Sequence, residues 1–365
     1  MQINILLPYK ENFDIYKTSS VSITINNNLI YSRYLNDIRV FGKNVDYPIL
    51  KNNFFGVKHS FFSFKSRNYF LAQKMCEIIL NSAEKHQLIE IHNRPYLINY
   101  IFKKTNALPI SLFFHNDPKK MKGSKAISDR KNILHKCAAV FCVSEYIKKQ
   151  FLDGITNDFE KVHVLHNGVQ RKLKKIPSKQ KDILFVGRLA FEKGADIFVD
   201  VVKSIAHKYP DWRFILIGPS KLDTNVNVET YAYNLSQKFI SIGKQAELYG
   251  FKDNEFVQEK MKNASIIIVP SREEAFGLVV AEAMSNGIAI IASKIGGIPE
   301  ILNKNGILIN NINSLNLRQA LEDLINNSDK RNLFQKKAWV NFSHTSKASA
   351  EKLDTYRKAI INSLS

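Results

Sequence analysis

Cysteine is scarce in this chain: three among 365 residues, Cys76, Cys137 and Cys142. The number is odd and the spacing fits no metal motif, which argues against a disulfide framework and against structural zinc. Buried, reduced thiols of a cytosolic protein are the expectation. Long apolar runs are missing too. The longest, such as 266–270 and 287–292, have strand length and fall far short of the ~20 residues that cross a bilayer. The opening Met1-Gln2-Ile3-Asn4-Ile5-Leu6-Leu7-Pro8 has neither a basic segment nor an apolar stretch long enough for a secretory leader. It reads as a first buried strand. No low-complexity tract and no repeat of roughly 20–50 residues occurs.

Acidic residues are outnumbered, 33 against 53 basic, for a net charge of +20. The imbalance is local. Residues 1–180 hold 29 basic and 13 acidic side chains, whereas residues 181–365 hold 24 and 20. A basic first half attracts anionic surfaces: lipid headgroups, phosphorylated glycans or nucleic acid. Lysine as compositional filler in a Lys-, Asn- and Ile-rich chain is the other reading. Nucleic acid is disfavoured, because no aromatic-basic RNA motif and no helix-turn-helix module stands out.

What is present is the alternation of short apolar runs with amphipathic stretches that parallel α/β sheets produce. Strands are expected at 3–7, 88–91, 110–114, 140–143 and 162–165, then at 183–186, 213–217, 246–249, 266–269, 288–292 and 306–309. Helices fit between them, at 195–209, 256–263 and 277–285, with Ser144 capping another that starts at Glu145. The Asn167-Gly168 turn precedes a polar, basic, Pro-containing stretch. The length and this stretch divide the chain into a first α/β domain at 1–170, a linker at 171–181, a second α/β domain at 182–345 and a terminal helix at 346–365. Two such domains joined by one short linker imply a cleft. Ligands of open parallel sheets bind beyond the carboxyl ends of the strands.

Three strand-to-helix turns of the second half carry polar residues. In Gly187-Arg188-Leu189-Ala190-Phe191-Glu192-Lys193-Gly194 two cations stand near the start of a helix. They either form an anion site, helped by the dipole and free N–H groups, or are solvated surface charge. In Ser271-Arg272-Glu273-Glu274-Ala275-Phe276-Gly277-Leu278-Val279-Val280-Ala281-Glu282-Ala283-Met284 two glutamates are eight apart. Glu282 is then expected two turns inside an otherwise apolar helix, facing the cleft. A lone carboxylate there needs a partner, and a ribose with two hydroxyls would supply one; a solvent edge or a neighbouring Lys is the plainer alternative. The third turn, Lys294-Ile295-Gly296-Gly297-Ile298-Pro299-Glu300, is expected to close the wall beside the second, with Glu300 capping rather than binding.

These stretches resemble family 4 of the retaining glycosyltransferases, which have the GT-B fold. The Glu-x7-Glu signature is Glu274 to Glu282, within Ser271-x-x-Glu274-x-Phe276-Gly277-Leu278 and followed by Gly287 and Gly296-Gly297-x-Pro299-Glu300. The resemblance covers most of 181–310. It implies two Rossmann-like domains with a cleft and a C-terminal helix packing back on the first. It implies that Arg188 and Lys193 hold the donor diphosphate after the turn at Gly187. Glu282 would bind ribose, and Glu274 would lie at the donor sugar. The backbone of Phe276, Gly277 and Leu278 would touch donor oxygens, and Gly250 and Phe251 would lie at the base. No Asp-x-Asp stands in a plausible donor loop, so no metal is implied, and no cofactor is bound permanently. The donor would be a UDP-, GDP- or ADP-sugar.

The first half is less legible. Glu90-Ile91-His92-Asn93-Arg94-Pro95 and Phe113-Phe114-His115-Asn116-Asp117-Pro118 both follow expected strands. The second resembles the family segment with an active-site histidine, which would be His115; a locally satisfied histidine is the alternative. His92, Asn93, Arg94, His115 and Asn116 are thus acceptor-side candidates. Many relatives carry a Gly-rich loop after the first strand. Here it is Pro8-Tyr9-Lys10-Glu11-Asn12-Phe13, without glycine. Lys10, Glu11 and Asn12 either replace the N–H cradle or meet the acceptor. His115, Arg188, Lys193 and Glu274 are the catalytic candidates.

The implied activity is retaining, metal-independent sugar transfer to a glycan or lipid-linked acceptor. The subgroup resembled builds bacterial lipopolysaccharide core or surface polysaccharide. The setting would be cytoplasmic, with peripheral association at an anionic inner membrane. A nucleotide-sugar epimerase or a phosphorylase of the same architecture is the alternative.

Overall fold

The computed structural model describes all residues except 60–65, 107, 220–225 and 364–365, together with the side chains of 226–229. The chain divides into two compact units: Met1–Gly168 with His344–Ser365, and Val169–Ser343.

The first unit is built on a parallel sheet of β1 (Gln2–Leu6), β2 (Ile38–Lys43), β3 (Phe54–Val57), β4 (Gln87–His92), β5 (Ile110–Phe114), β6 (Ala139–Cys142) and β7 (Val162–Val164). The order is β3-β2-β1-β4-β5-β6-β7. The runs are mostly apolar because a parallel sheet is covered on both faces, and every residue of β4, β5 and β6 is buried. The strands β2 and β3 are not among those expected from sequence. Helix Glu145–Leu152 starts where Ser144 accepts a hydrogen bond from the Ile147 amide. Helix Ser346–Asn362 returns to this unit and packs beside helix Ser20–Leu29; position 364 of the expected terminal helix lies outside the described residues. The three cysteines are buried and free.

The second unit is built on β8 (Gln180–Val186), β9 (Arg213–Ile217), β10 (Ala246–Tyr249), β11 (Ala264–Val269), β12 (Ala289–Ser293) and β13 (Ile307–Ile309). Its order, β10-β9-β8-β11-β12-β13, is parallel throughout. Numbered within the unit it reads 3-2-1-4-5-6, the Rossmann order, and the direction in which successive strands are laid down reverses between β8 and β11. That switch point is where a ligand fits. The strand β8 starts at Gln180, so the last two residues of the expected linker are strand instead. They are exposed and polar because they precede the buried part of β8, which is why they read as linker.

Candidate functional site

In the second unit the turns after β8 and β11 flank the switch point and are laced together. Gly187 follows β8, and its amide donates to the Ile217 carbonyl at 2.9 Å. The Arg272 amide donates to the Glu192 carbonyl at 2.8 Å. The Arg272 guanidinium makes two 2.7 Å bonds to the carboxylate of Asp196, a third to the Phe191 carbonyl, and lies 3.8 Å over the Phe191 ring. Burial alone would raise the Asp196 carboxyl; the hydrogen bonds from Arg272 and Tyr231 outweigh it and hold it below its ordinary value. This bracing pair was not singled out from the sequence, where Arg272 was one letter of a motif.

Within this frame Lys193 Nζ lies 2.7 Å from Glu274 Oε2. Two of the donor-site candidates, Lys193 and Glu274, are thus in contact, 81 positions apart in the chain. Arg188 is directed elsewhere: its guanidinium pairs with Glu192 Oε1 at 2.6 Å, one turn on. Close packing is enforced by glycine at two points. Gly194 has φ +68°, and a Cβ there would stand 2.0 Å from the Pro270 carbonyl. Gly296 has φ +58°, and its Cβ would stand 1.7 Å from the Glu274 carbonyl. The turn after β12 therefore rests on the Glu274 loop, as expected for the third motif.

Helix Leu278–Ser285 starts after Gly277, beside the buried ring of Phe276. Its first N–H groups have no partner within the helix. Glu282 is its fifth residue, little more than one turn in rather than two. The side chain is 9% exposed. No hydrogen bond or ion pair to its carboxylate occurs among the described residues, and burial pushes it up to about 7. Lys193 and Glu274 bond to each other and Arg188 to Glu192, none of them to Glu282. Gly250 and Phe251 follow β10 at the same end of the sheet, with Phe251 exposed.

In the first unit the switch point falls between β1 and β4. After β1, Lys10 is exposed. Glu11 is turned inward and accepts a hydrogen bond from Ser19 Oγ, and the Asn12 amide donates to that same hydroxyl at 3.2 Å. Glu11 is therefore a loop brace and not an open acceptor-side group. After β4, Arg94 donates to its neighbour's carbonyl, Asn93 O, at 2.6 Å and to Asn68 Oδ1 at 3.2 Å. His92 Nδ1 and His115 Nε2 are 2.8 Å apart. Asn116 is exposed. Glu90, within β4, is buried against Arg357.

Among the described residues no group of three or more His, Cys, Asp or Glu is placed to hold a metal ion, and no helix is long and apolar enough to cross a membrane.

Two parallel sheets, the second in Rossmann order with charged side chains around its switch point, define the GT-B class. Residues 168–339 match the family described as glycosyl transferases group 1, and residues 37–173 match glycosyltransferase family 4. The two matches adjoin and together run from residue 37 to residue 339. It is 34% identical over 194 residues to an uncharacterized glycosyltransferase of Methanocaldococcus jannaschii, covering 53% of this chain and 51% of that one. It is 31% identical over 170 residues to the gpi3 subunit of the phosphatidylinositol N-acetylglucosaminyltransferase of Schizosaccharomyces pombe, covering 45% and 35%. The chain thus spans about half or less of these relatives' lengths. The crystal structure of Anabaena HepE in complex with UDP and glucose superposes with a TM-score of 0.76 at 17% identity, over 98% of this chain and 100% of that one. That likeness is one of fold.

Proposed function

We propose that this protein transfers a sugar, with retention and without a metal, from a nucleotide diphosphate sugar to a hydroxyl of a glycan or lipid-linked acceptor. The observation that carries the reading is the second unit's switch point. There a Lys193–Glu274 pair stands beside a helix N-terminus, and that helix holds the buried, unpartnered carboxylate of Glu282. A nucleotide sugar answers each feature. Its ribose hydroxyls donate to Glu282. Its diphosphate takes Lys193, the amides of Gly277 and Leu278, and Arg188 once released from Glu192. Its sugar takes Glu274, and its base lies by Gly250 and Phe251.

In the reaction the bond from the anomeric carbon to the diphosphate oxygen breaks. A bond to the acceptor oxygen forms on the same face, and the acceptor proton passes to the departing phosphate. Cationic neutralisation of that phosphate and positioning supply the acceleration. UDP-sugars are the first donors to try, since UDP is the nucleotide named for the Anabaena protein. A thermal-shift screen of UDP-, GDP- and ADP-sugars tests the reading, because a bound donor raises the melting temperature by mass action. Product from donor alone would indicate an epimerase, and a requirement for phosphate a phosphorylase.

The acceptor would be anionic or lipid-linked, as in bacterial lipopolysaccharide or surface polysaccharide synthesis, and would meet the basic first unit. Support comes from the rim formed by the loops after β1 and β2. Asp14 accepts from the amides of Tyr16, Lys17 and Tyr47 at 2.9–3.1 Å. This clamp presents Ile15, Tyr16 and Tyr47, each more than half exposed, beside Lys10 and Lys17. Tyrosine and lysine together suit the headgroup layer of an anionic membrane. Sedimentation with anionic but not neutral vesicles, lost at high salt, is the expected result; absence of binding at low salt removes the membrane from the proposal.

A further inference from the structure

His92 ends β4 and His115 follows β5, and two neighbouring residues hold His115 by different atoms. The His92 ring meets its ring, Nδ1 to Nε2 at 2.8 Å. The Asn93 side chain accepts from its backbone amide at 2.8 Å. Asn93 takes the left-handed conformation, φ 53°, to do so. His92 is itself fixed: its ring stacks on Phe113 at 4.4 Å, and Phe113 stacks on Phe141 at 4.7 Å.

We propose that His92 is a positioning residue that locks His115 in the tautomer carrying its proton on Nδ1, so that His115 meets its ligand as a neutral hydrogen-bond donor. The identity of that ligand, a sugar or phosphate oxygen, rests on the glycosyltransferase reading. The tautomer does not.

Both imidazoles are held neutral. Burial is the main cause for each, taking His115 down to about 4, and the charge of Arg357 adds to the effect on His92. A neutral pair shares one proton across the 2.8 Å contact, and the other ring atom of His92 decides which way. His92 Nε2 is buried and has no partner among the described residues. If His115 Nε2 donated, His92 would carry its proton on that sealed Nε2, and an unpaired N–H would be buried. If His92 Nδ1 donates, Nε2 is left with a lone pair, and an under-satisfied acceptor is the better tolerated of the two. His92 Nδ1–H therefore donates to His115 Nε2. The proton of His115 is then on Nδ1, for which no partner occurs among the described residues. With Nε2 occupied and Nδ1 protonated, His115 has no site to take a proton. This agrees with transfer of the acceptor proton to the leaving phosphate.

Long-range proton–nitrogen spectra of the full-length protein, labelled with nitrogen-15 histidine, read the tautomer directly at pH 7.5. His115 is assigned by its disappearance in His115→Gln. The expected result is a protonated Nδ1 and a bare Nε2 for His115 in the unmodified protein. A protonated Nε2 overturns the proposal, whether or not any sugar donor proves active. Two variants give the second arm. In His92→Asn the side-chain amide keeps a donor near the Nδ1 position, so the His115 tautomer and kcat should stay within about threefold. In His92→Leu the His115 signals should show both tautomers, and kcat should fall about tenfold, the worth of one hydrogen bond, with little change in donor KM. Equal loss in both variants with the His115 tautomer unchanged assigns His92 a packing role and removes the proposal.

Discussion

Arg357 and Glu90 form a buried bidentate ion pair across 267 positions of sequence, with Nε to Oε1 and the second guanidinium nitrogen to Oε2 both at 2.7 Å. The same guanidinium donates to Asp354 at 3.0 Å and to Ser32 at 3.2 Å. Asp354 in turn accepts from Ser32 Oγ and the Arg33 amide, both at 2.8 Å. The terminal helix is thereby tied to β4 and to the end of helix Ser20–Leu29 through one polar network. Removing one partner strands the other in an apolar setting. Arg357→Leu should cost about 3–5 kcal/mol of stability by urea unfolding, and the double change with Glu90→Leu should cost clearly less.

Glu274 holds Lys193 at 2.7 Å, and under the proposed function that ammonium would face the negative charge developing on the departing diphosphate. Lys193→Ala should lower kcat with the best donor by about 10²–10³ while leaving the circular dichroism spectrum intact. Lys193→Arg should recover only part, since a planar fork does not replace a point charge in a contact of this size. Steady-state kinetics decide this.

Glu282 binds its proton more tightly in the folded chain, with its pKa moving from 4.5 to about 7. Between those values the folded state holds more protons than the unfolded one. Its contribution to stability is thus complete below about pH 4.5 and lost as pH rises through about 7. Under the proposed function, ribose hydroxyls would donate to the ionised form. Nucleotide affinity should therefore rise from pH 6 to pH 8, with a proton released on binding. Calorimetry in buffers of different ionisation heat would detect that proton. Glu282→Gln should flatten the pH dependence.

Gly296→Ala places a methyl group on the Glu274 carbonyl in a backbone conformation that L-residues avoid. The conformation alone costs about 1–2 kcal/mol, and the overlap displaces the Glu274 loop. Melting temperature and donor affinity should fall together. Gly243→Ala, with φ +91° but open space around it, should lower only the first.

The strand-to-helix turns of the second unit were legible because their signals are local. Gly187, Arg188, Glu274 and Gly296 each stand at the end of an apolar strand, where residue order alone fixes the turn. Relationships between distant segments were not. Nothing near Arg272 or Asp196 in sequence announces their pairing, and nothing near Glu90 announces Arg357, 267 positions on. The strand β3 escaped notice because Phe54-Phe55-Gly56-Val57 is short, half-exposed and lies at the sheet edge. Glu11 looked available because its partner, Ser19, comes eight residues later with no motif to mark it.

The first unit is not a continuous stretch of chain: it needs Met1–Gly168 and also His344–Ser365. During synthesis its seven strands leave the ribosome early, yet the guanidinium that neutralises Glu90 arrives only after the entire second unit has been made. Until then a carboxylate stands in an unfinished core. The second unit, contiguous at Val169–Ser343, is therefore the one to fold first, and completion of the first unit waits on the helix that bears Arg357.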